Sequence, residues 1–174
     1  DKTSQKISQK FFIDLYKQDR IYKKEFPTIW CPECQTAIAQ AELEDKEQES
    51  FFSTLKFFVD KKILPIATTR PELLPACVAV FINPKDERYK SFIGRRAKVP
   101  LFNFDVPILS DASADIKKGT GVLMVCSFGD RFDVDAIHNH KLQPRVVINK
   151  DGTLNLSGEY NGLSIKEARG KILK

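Results

Sequence analysis

Two carboxylates three residues apart are the strongest chemical signal in the chain. Asp130 and Asp133 follow a predicted strand and open a predicted helix, so both side chains can point into one pocket. One of them can cap the helix, but a single cap needs only one carboxylate. Gly119 and Gly121 precede the same strand and would let the backbone approach a ligand closely. The segment therefore predicts a binding or catalytic pocket, with a plain helix cap as the alternative for one aspartate.

A second candidate runs from Thr68 to Glu72, directly after another predicted strand. Thr69 and Glu72 have the spacing of a capping box, and Pro71 suits the first turn of a short helix. That role does not explain Arg70. A planar cation at a strand end can bind a phosphate or a carboxylate. The motif predicts a helix start, with or without an anion-binding arginine.

The third candidate is the pair Cys31 and Cys34, whose spacing lets two thiolates turn back on one ion. Half of a tetrahedral zinc site, a redox pair and unligated thiols are the three interpretations. Cys77 and Cys126 lie in predicted strands, which does not suit a second metal knuckle. A nucleophilic Cys126 paired with a histidine is a less favoured alternative, because a cysteine within a strand is more often a core residue.

The composition is that of one globular domain. The chain has 174 residues, and a 42% share of hydrophobic residues is enough to form a core. The net charge of +5 comes from scattered basic residues, which tolerates an RNA partner without requiring one. The longest apolar runs are far shorter than the roughly 20 residues that span a bilayer, so no membrane partner is expected. With no export signal and an aspartate as first residue, we expect reduced cysteines, a cytoplasmic location and a piece of a longer protein.

The elements that position these residues follow from hydrophobic periodicity. A packed amphipathic helix is predicted over 4–18, capped by Thr3 or Ser4, and the acidic residues from 42 to 49 predict a solvated face. Further helices are predicted over 85–93, 133–140 and 164–173, the last with a capping box of Ser164 and Glu167. Strands are predicted over 51–59, 63–68, 78–82, 99–102, 106–109, 121–126 and 145–148, followed by a tight hairpin at Asp151. Many short strands and few helices favour an α+β fold with a closed or strongly curved sheet.

Taken together, the motifs resemble the editing insertion of the class I valyl, isoleucyl and leucyl-tRNA synthetases. The similarity covers nearly the whole chain, including TTRPELLPACVAVFINPKDERY, GTGVLMVCSFGDRFDVDAI and VVINKDGTLN. Arg70 followed by Glu-Leu-Leu-Pro favours the archaeal-type valyl branch. The leucyl branch more typically follows TTRP with an acid-Thr-Leu-Phe-Gly run, and the isoleucyl branch replaces this arginine with threonine. Isoleucyl and leucyl editing domains, and a non-catalytic tRNA-binding module, remain the alternatives.

The resemblance implies a closed β-barrel core decorated by short helices over residues 50–174. Residues 1–49 would form a stem, with an N-terminal helix and half a zinc knuckle, that joins the catalytic domain. The implied activity is hydrolysis of the ester of mischarged threonyl-tRNA(Val), as part of valine–tRNA ligase. An apolar pocket cannot strongly reject an isostere that only adds a hydroxyl, and valyl-tRNA synthetase is itself a worked example of that limit. A second, polar pocket must then select threonine, because valine would leave its hydrogen-bonding groups unpaired at a cost of about 1–3 kcal/mol.

The resemblance also assigns roles to individual residues. Three form the implied catalytic set, in which Asp133 reads the substrate, Asp130 holds its ammonium group and Thr69 helps to position water. The implied substrate-binding residues are Thr68, Arg70, Glu72, Gly119, Thr120, Gly121, Met124 and Cys126. Met124 and Cys126 stand where many bacterial valyl enzymes carry Lys and Thr beside the substrate hydroxyl, which places more of the recognition on Asp133.

Cofactor and partners follow from the same resemblance. Hydrolysis would need no cofactor and would use an ordered water, without a covalent intermediate. Zinc at Cys31 and Cys34 would take its remaining ligands from outside this chain. The implied partners are the 3′ end of tRNA(Val) carrying threonine and the rest of the synthetase, with the protein otherwise a monomer.

Overall fold

The computed structural model describes residues 1–44, 46–47 and 49–174; Asp45, part of the predicted acidic face, lies outside them. The described residues form three α-helices: α1 (Lys2–Lys17), α2 (Arg131–Asn139) and α3 (Ile165–Ile172). The strands are β1 (Trp30–Cys31), β2 (Thr36–Ala37), β3 (Ser53–Val59), β4 (Lys62–Thr68), β5 (Cys77–Ile82), β6 (Arg96–Lys98), β7 (Asp105–Ser110) and β8 (Val122–Cys126). Short 3₁₀ turns occupy Gln40–Glu42, Pro71–Ala76, Lys90–Phe92 and Gly158–Tyr160.

Six strands form one strongly curved sheet in the order β4-β3-β6-β7-β5-β8. The β5 and β7 strands are parallel, and the other neighbours are antiparallel. The last residues of β4 return to the loop before β8, where the Ala67 N–H donates to Thr120 Oγ1 at 3.3 Å. The two edge strands therefore lie next to each other, and the sheet is a nearly closed barrel. The predicted α+β class with a barrel core is confirmed.

The central strand β5 is buried on both faces, which its uninterrupted apolar sequence Cys-Val-Ala-Val-Phe-Ile requires. Val80 and Ile82 belong to the main core inside the barrel. Ala79 and Phe81 point to the other face and pack in a smaller cluster with Ala136 of α2. This alternation with a period of two places α2 against the outside of the barrel, next to β5 and β8.

The predicted capping box of the last helix is confirmed. Ser164 caps α3, with its hydroxyl accepting from the Glu167 N–H and its own N–H donating to the Glu167 carboxylate at 2.9 Å. The predicted hairpin is a tight turn with a single bridge between Ile148 and Leu154, so the strand predicted over 145–148 is reduced to extended chain. In this segment the Arg145 N–H donates to Ser127 Oγ at 2.6 Å, and the Val147 carbonyl accepts from the Asn155 N–H at 2.8 Å.

The helix predicted over 4–18 is present as α1, but its predicted packing is wrong. Its apolar residues Ile7, Phe11 and Tyr16 are each more than 60% exposed, because no described part of the chain covers that face. The cap is also different, since Asp1 accepts from the Ser4 N–H at 2.7 Å. The following knuckle is tied to the hairpin by Trp30, whose indole N–H donates to the Lys150 carbonyl at 2.9 Å.

Two further predictions are wrong for local reasons. The strand expected over 99–102 lies earlier, at β6, because Leu101 and Asn103 turn the chain with φ of 65° and 52°. The helix expected over 85–93 is a series of turns with only the 3₁₀ segment near its end. Asn83 and Asp86 accept backbone N–H groups two residues further on, and such side-chain bonds compete with a helix.

No helix in the described ranges combines the length and the apolar character that a membrane crossing needs.

The barrel predicts a sharp difference between two neighbouring phenylalanines of β3. Phe57 is fully buried in the core, whereas Phe58 is 41% exposed on the opposite face. Phe57→Ala is expected to lower the free energy of unfolding by about 3–5 kcal/mol, and Phe58→Ala by about 1 kcal/mol. Urea denaturation of both variants checks this, and equal losses would contradict the strand's facing.

Candidate functional site

A cavity of about 390 Å³ lies between the end of β4, the strand β8, the loop before β8 and the start of α2. This volume is within the range of about 300–1,000 Å³ typical of small-molecule sites. Eight of the sequence-predicted site residues line it: Thr68, Thr69, Arg70, Gly121, Met124, Cys126, Asp130 and Asp133. The sequence did not single out several other lining residues, which include Phe52, Leu73, Lys118 and Phe132.

Asp130 caps α2 and still faces the cavity. Its Oδ1 accepts from the Asp133 N–H at 2.8 Å, so the predicted cap belongs to this aspartate. The residue is exposed, which leaves its second oxygen accessible from the cavity. The capping and pocket interpretations are thus compatible in one residue.

Asp133 is a buried carboxylate, with 8% of its surface exposed. Its Oδ1 accepts from the Cys126 N–H at 3.1 Å, which joins the first turn of α2 to the end of β8. Burial raises the pKa of Asp133 to about 6; the Cys126 N–H opposes this and the charge of Asp130 adds to it. In the described part of the chain, its Oδ2 accepts no hydrogen bond. The carboxylate is therefore anchored on one side and free on the other.

Gly129 is a site residue that sequence reasoning missed. A Cβ at this position would collide with Asp133 Oδ2 and press on Leu73 at 3.1 Å. The glycine therefore gives the buried carboxylate its space. Its carbonyl also accepts from Arg70 Nη1 at 2.6 Å, which ties the loop to the opposite edge of the cavity.

The capping box predicted for Thr69 and Glu72 is not formed. The 3₁₀ segment after Arg70 has no side-chain cap, and Thr68 Oγ1 instead accepts from the Arg70 N–H at 3.1 Å. Glu72 turns away from the cavity and pairs with Arg70 and Arg169. Burial pushes the pKa of Glu72 up, but the hydrogen bonds from the two arginines outweigh it and the net pKa is lowered.

The loop of residues 119–121, which contains two glycines, lines the cavity only in part. Gly121 lines the cavity, whereas Gly119 and Thr120 lie behind it. Gly119 has a φ of 58°, and a Cβ there would meet the Ala67 Cβ at 2.8 Å. Arg88, held by the buried Asp86, donates to the carbonyl of Thr120 at 3.4 Å and fixes the loop from outside.

The geometry does not favour a cysteine nucleophile. Burial raises the pKa of Cys126 well above its ordinary value, and its Sγ contacts the Leu73 carbonyl at 3.5 Å. Neither histidine is among the described lining residues. His140 instead pairs with Asp111 at 2.7 Å, at the C-terminal end of α2.

Cys31 and Cys34 lie in the turn that joins β1 to β2. The Cys34 N–H donates to Cys31 Sγ at 3.4 Å and lowers the pKa of Cys31, while the side-chain hydrogen bond with Cys31 raises the pKa of Cys34. Among the described residues, no group of three His, Cys, Asp or Glu side chains could hold a metal. The two thiols fit half of a tetrahedral zinc site and no more.

The barrel fold is shared with a class I synthetase of known structure. The crystal structure of the Agrobacterium radiobacter LeuRS, in a ternary complex with tRNA and LeuAMS, superposes with a TM-score of 0.55 at 19% identity. The match covers 68% of this chain and 18% of that chain. It establishes the fold alone.

Sequence comparisons give the family. Residues 1–97 match the family model of tRNA synthetases class I (I, L, M and V), and the chain belongs to this family. Valine–tRNA ligase of Thermoplasma volcanium is 49% identical over 98% of this chain and 22% of its own length. The ligases of Methanothrix thermoacetophila and Rickettsia rickettsii are 47% and 49% identical, over 95% and 98% of this chain and 20% and 21% of their own lengths. The chain thus spans about a fifth of these relatives, and the predicted resemblance to valyl enzymes is confirmed.

The buried carboxylate predicts a pH-dependent stability difference for Asp133→Asn. The folded pKa of about 6 exceeds the ordinary 3.8, so wild-type stability falls as pH rises between these values and then stays constant. Asparagine can keep the bond from the Cys126 N–H without a buried charge. We expect the variant to be more stable than wild type by about 2–3 kcal/mol at pH 7.5, with the difference shrinking towards pH 4.

Urea denaturation at several pH values measures this difference. Asp135→Asn, on an exposed position of the same helix, is the matched control and should show little change. A difference between Asp133→Asn and wild type that does not vary with pH would contradict the assignment.

Proposed function

We propose that this chain is the editing domain of a valyl-tRNA synthetase and hydrolyses the ester of threonyl-tRNA(Val). The observation that carries the proposal is Asp133, a buried carboxylate at the cavity with one anchored and one free oxygen. The valyl relatives and the class I barrel support the same function.

Selection of threonine would depend on the free oxygen of Asp133. A threonine side chain placed among Leu73, Met124 and Asp133 can donate its hydroxyl to that oxygen while its methyl group contacts the apolar residues. Valine has the same shape but would leave the carboxylate desolvated and unpaired, which costs about 1–3 kcal/mol. The cavity would thus discriminate by the hydroxyl, the group that an apolar pocket cannot reject.

The charges of the cavity fit the other parts of an aminoacyl-adenosine. Asp130 is accessible and negative, which suits the α-ammonium group of the ester. Arg70 and Lys118 supply positive charge at the cavity, which suits the phosphates of the tRNA 3′ end. The 3′ end of tRNA(Val) carrying threonine and the rest of the synthetase are the proposed partners.

Hydrolysis would proceed by direct attack of water. The water oxygen bonds to the ester carbonyl carbon, the bond to the ribose oxygen breaks, and the water proton passes to that oxygen, releasing threonine and uncharged tRNA. Thr69 and the substrate's own ribose hydroxyls would position this water. Burial raises the pKa of the Cys126 thiol, which disfavours a thiolate nucleophile, so the proposed mechanism has no covalent intermediate on this cysteine.

Zinc is the second part of the proposal. Cys31 and Cys34 would supply two thiolate ligands and the rest of the synthetase the others, which fixes the knuckle where the chain meets the catalytic domain. Zinc would have a structural role there and no part in hydrolysis.

Deacylation of threonyl- and valyl-tRNA(Val) at high enzyme concentration tests the function. Wild type should release threonine much faster than valine, and Asp133→Ala should lower the threonine rate about 10- to 100-fold. Asp135→Ala and Cys126→Ser should retain activity. Equal release of both amino acids, unchanged in Asp133→Ala, would contradict the role of Asp133, and release no faster than without the protein would favour a non-catalytic tRNA-binding module.

Metal analysis of the full-length synthetase tests the zinc site. Replacing Cys31 and Cys34 by serine should remove one zinc per chain, since two lost thiolates leave too few ligands. Cys126→Ser is the control and should keep the wild-type metal content. Unchanged zinc in the double variant would show that the pair is not a ligand set.

A further inference from the structure

Glu72 is a buried carboxylate that does not reach the cavity. The residue is fully buried, lies two positions after Arg70 and is absent from the described cavity lining. A carboxylate in this environment is stable only when cations and hydrogen bonds compensate its charge. Its partners therefore indicate what it does.

Two arginines share this carboxylate unequally. Arg169, on α3, donates from Nε to Oε2 at 2.9 Å and from Nη2 to Oε1 at 2.8 Å, the two-point geometry of a strong arginine–carboxylate pair. Arg70 donates only from Nε to Oε1, at 3.3 Å. Arg169 thus neutralises Glu72, and Arg70 keeps a single contact.

The single contact leaves the rest of the Arg70 guanidinium for the cavity. Its Nη1 donates to the Gly129 carbonyl at 2.6 Å, so the group is held at two points. In the described part of the chain, its Nη2 has no protein acceptor, and the side chain is 46% exposed. A planar cation with one free edge is fixed at the rim of the cavity.

We propose that Glu72 and Arg169 are positioning residues that set the Arg70 guanidinium for the 3′ end of the substrate without touching it. This inference rests on the proposed function, because it assumes that Arg70 binds the tRNA end. It assigns a site role to a residue of α3 that lies 97 positions from Glu72 in the sequence.

Loss of Arg169 would change how Glu72 is satisfied. The buried Oε2 of Glu72 would then accept no hydrogen bond from the part of the chain that the structure describes. Arg70, which already contacts Oε1, is the cation that can take the place of Arg169. A buried carboxylate gains more from a two-point contact than from one long bond. Arg70 would therefore turn inward and release the Gly129 carbonyl, which removes its free edge from the cavity.

Steady-state deacylation of threonyl-tRNA(Val) tests this through the split between KM and kcat. Arg169→Met should raise KM about tenfold and leave kcat within about twofold, since only binding of the tRNA end is affected. Arg169→Lys should restore part of the loss. The control is Lys171→Met on the same helix, whose surface pair with Glu159 should be dispensable.

A background without the buried charge separates positioning from general stability. In an Arg70→Ala/Glu72→Gln background, which leaves no uncompensated carboxylate, Arg169→Met should raise KM no further, because its effect passes through Arg70. An equal further increase would overturn the inference, as would an unchanged KM in Arg169→Met alone.

Side-chain NMR decides the positioning step without any activity. The Arg70 Nε–H is hydrogen-bonded in this structure, and its resonance and exchange rate should change in Arg169→Met but not in Lys171→Met. An unchanged Arg70 signal would overturn the inference. Failure of wild type to deacylate any substrate would instead count against the proposed function alone.

Discussion

The hydrogen bond from the Cys126 N–H to Asp133 is the contact on which the candidate site depends. It joins the last residue of β8 to the first turn of α2 and holds a carboxylate where little water reaches it. Gly129 must lack a side chain for this to be possible, and Asp130 must cap the helix to start it at the right residue. The conformation of the loop between β8 and α2 is thus set by the contacts of one buried carboxylate, that of Asp133.

The buried carboxylate of Asp133 lowers the stability of the folded protein. Burial disfavours the ionised form, and the backbone N–H groups of Cys126 and Asp130 and the positive charge of Arg70 compensate it only in part. A fully satisfied carboxylate would be more stable but would have no oxygen left for a ligand. The fold therefore gives up some stability and keeps one carboxylate oxygen available for a ligand.

Among the described residues, two other carboxylates, Glu72 and Asp86, are buried and act through arginines. Glu72 pairs with Arg70 and Arg169, and Asp86 pairs with Arg88; Arg70 donates to the Gly129 carbonyl and Arg88 to the Thr120 carbonyl. One pair fixes the loop after β8 and the other fixes the loop before it. The cavity is thus bounded by backbone that ionic contacts hold in place, whereas Asp133 supplies a buried carboxylate that faces it.

Local sequence signals predicted much of this arrangement. The strands around Phe57 and Val80, the cap of α3 and the two aspartates all follow from patterns within a few residues. The Glu72 pair with Arg169 could not be predicted, because it depends on how the barrel brings distant segments together. The exposed α1 was mispredicted since periodicity shows that a helix has an apolar face but not what covers it. Gly129 had a detectable signal, a glycine directly before the aspartates, whose meaning required the position of Asp133.

The most direct test of the account is a carboxyl ¹³C NMR titration of Asp133, alone and with non-hydrolysable threonyl- and valyl-adenosine analogues. The account predicts a midpoint near 6 in the free protein. The threonyl analogue should lower this midpoint more than the valyl analogue, because its hydroxyl donates to the ionised carboxylate. A midpoint near 4 would contradict the burial of the carboxylate, and the same response to both analogues would contradict the claim that Asp133 recognises the substrate hydroxyl.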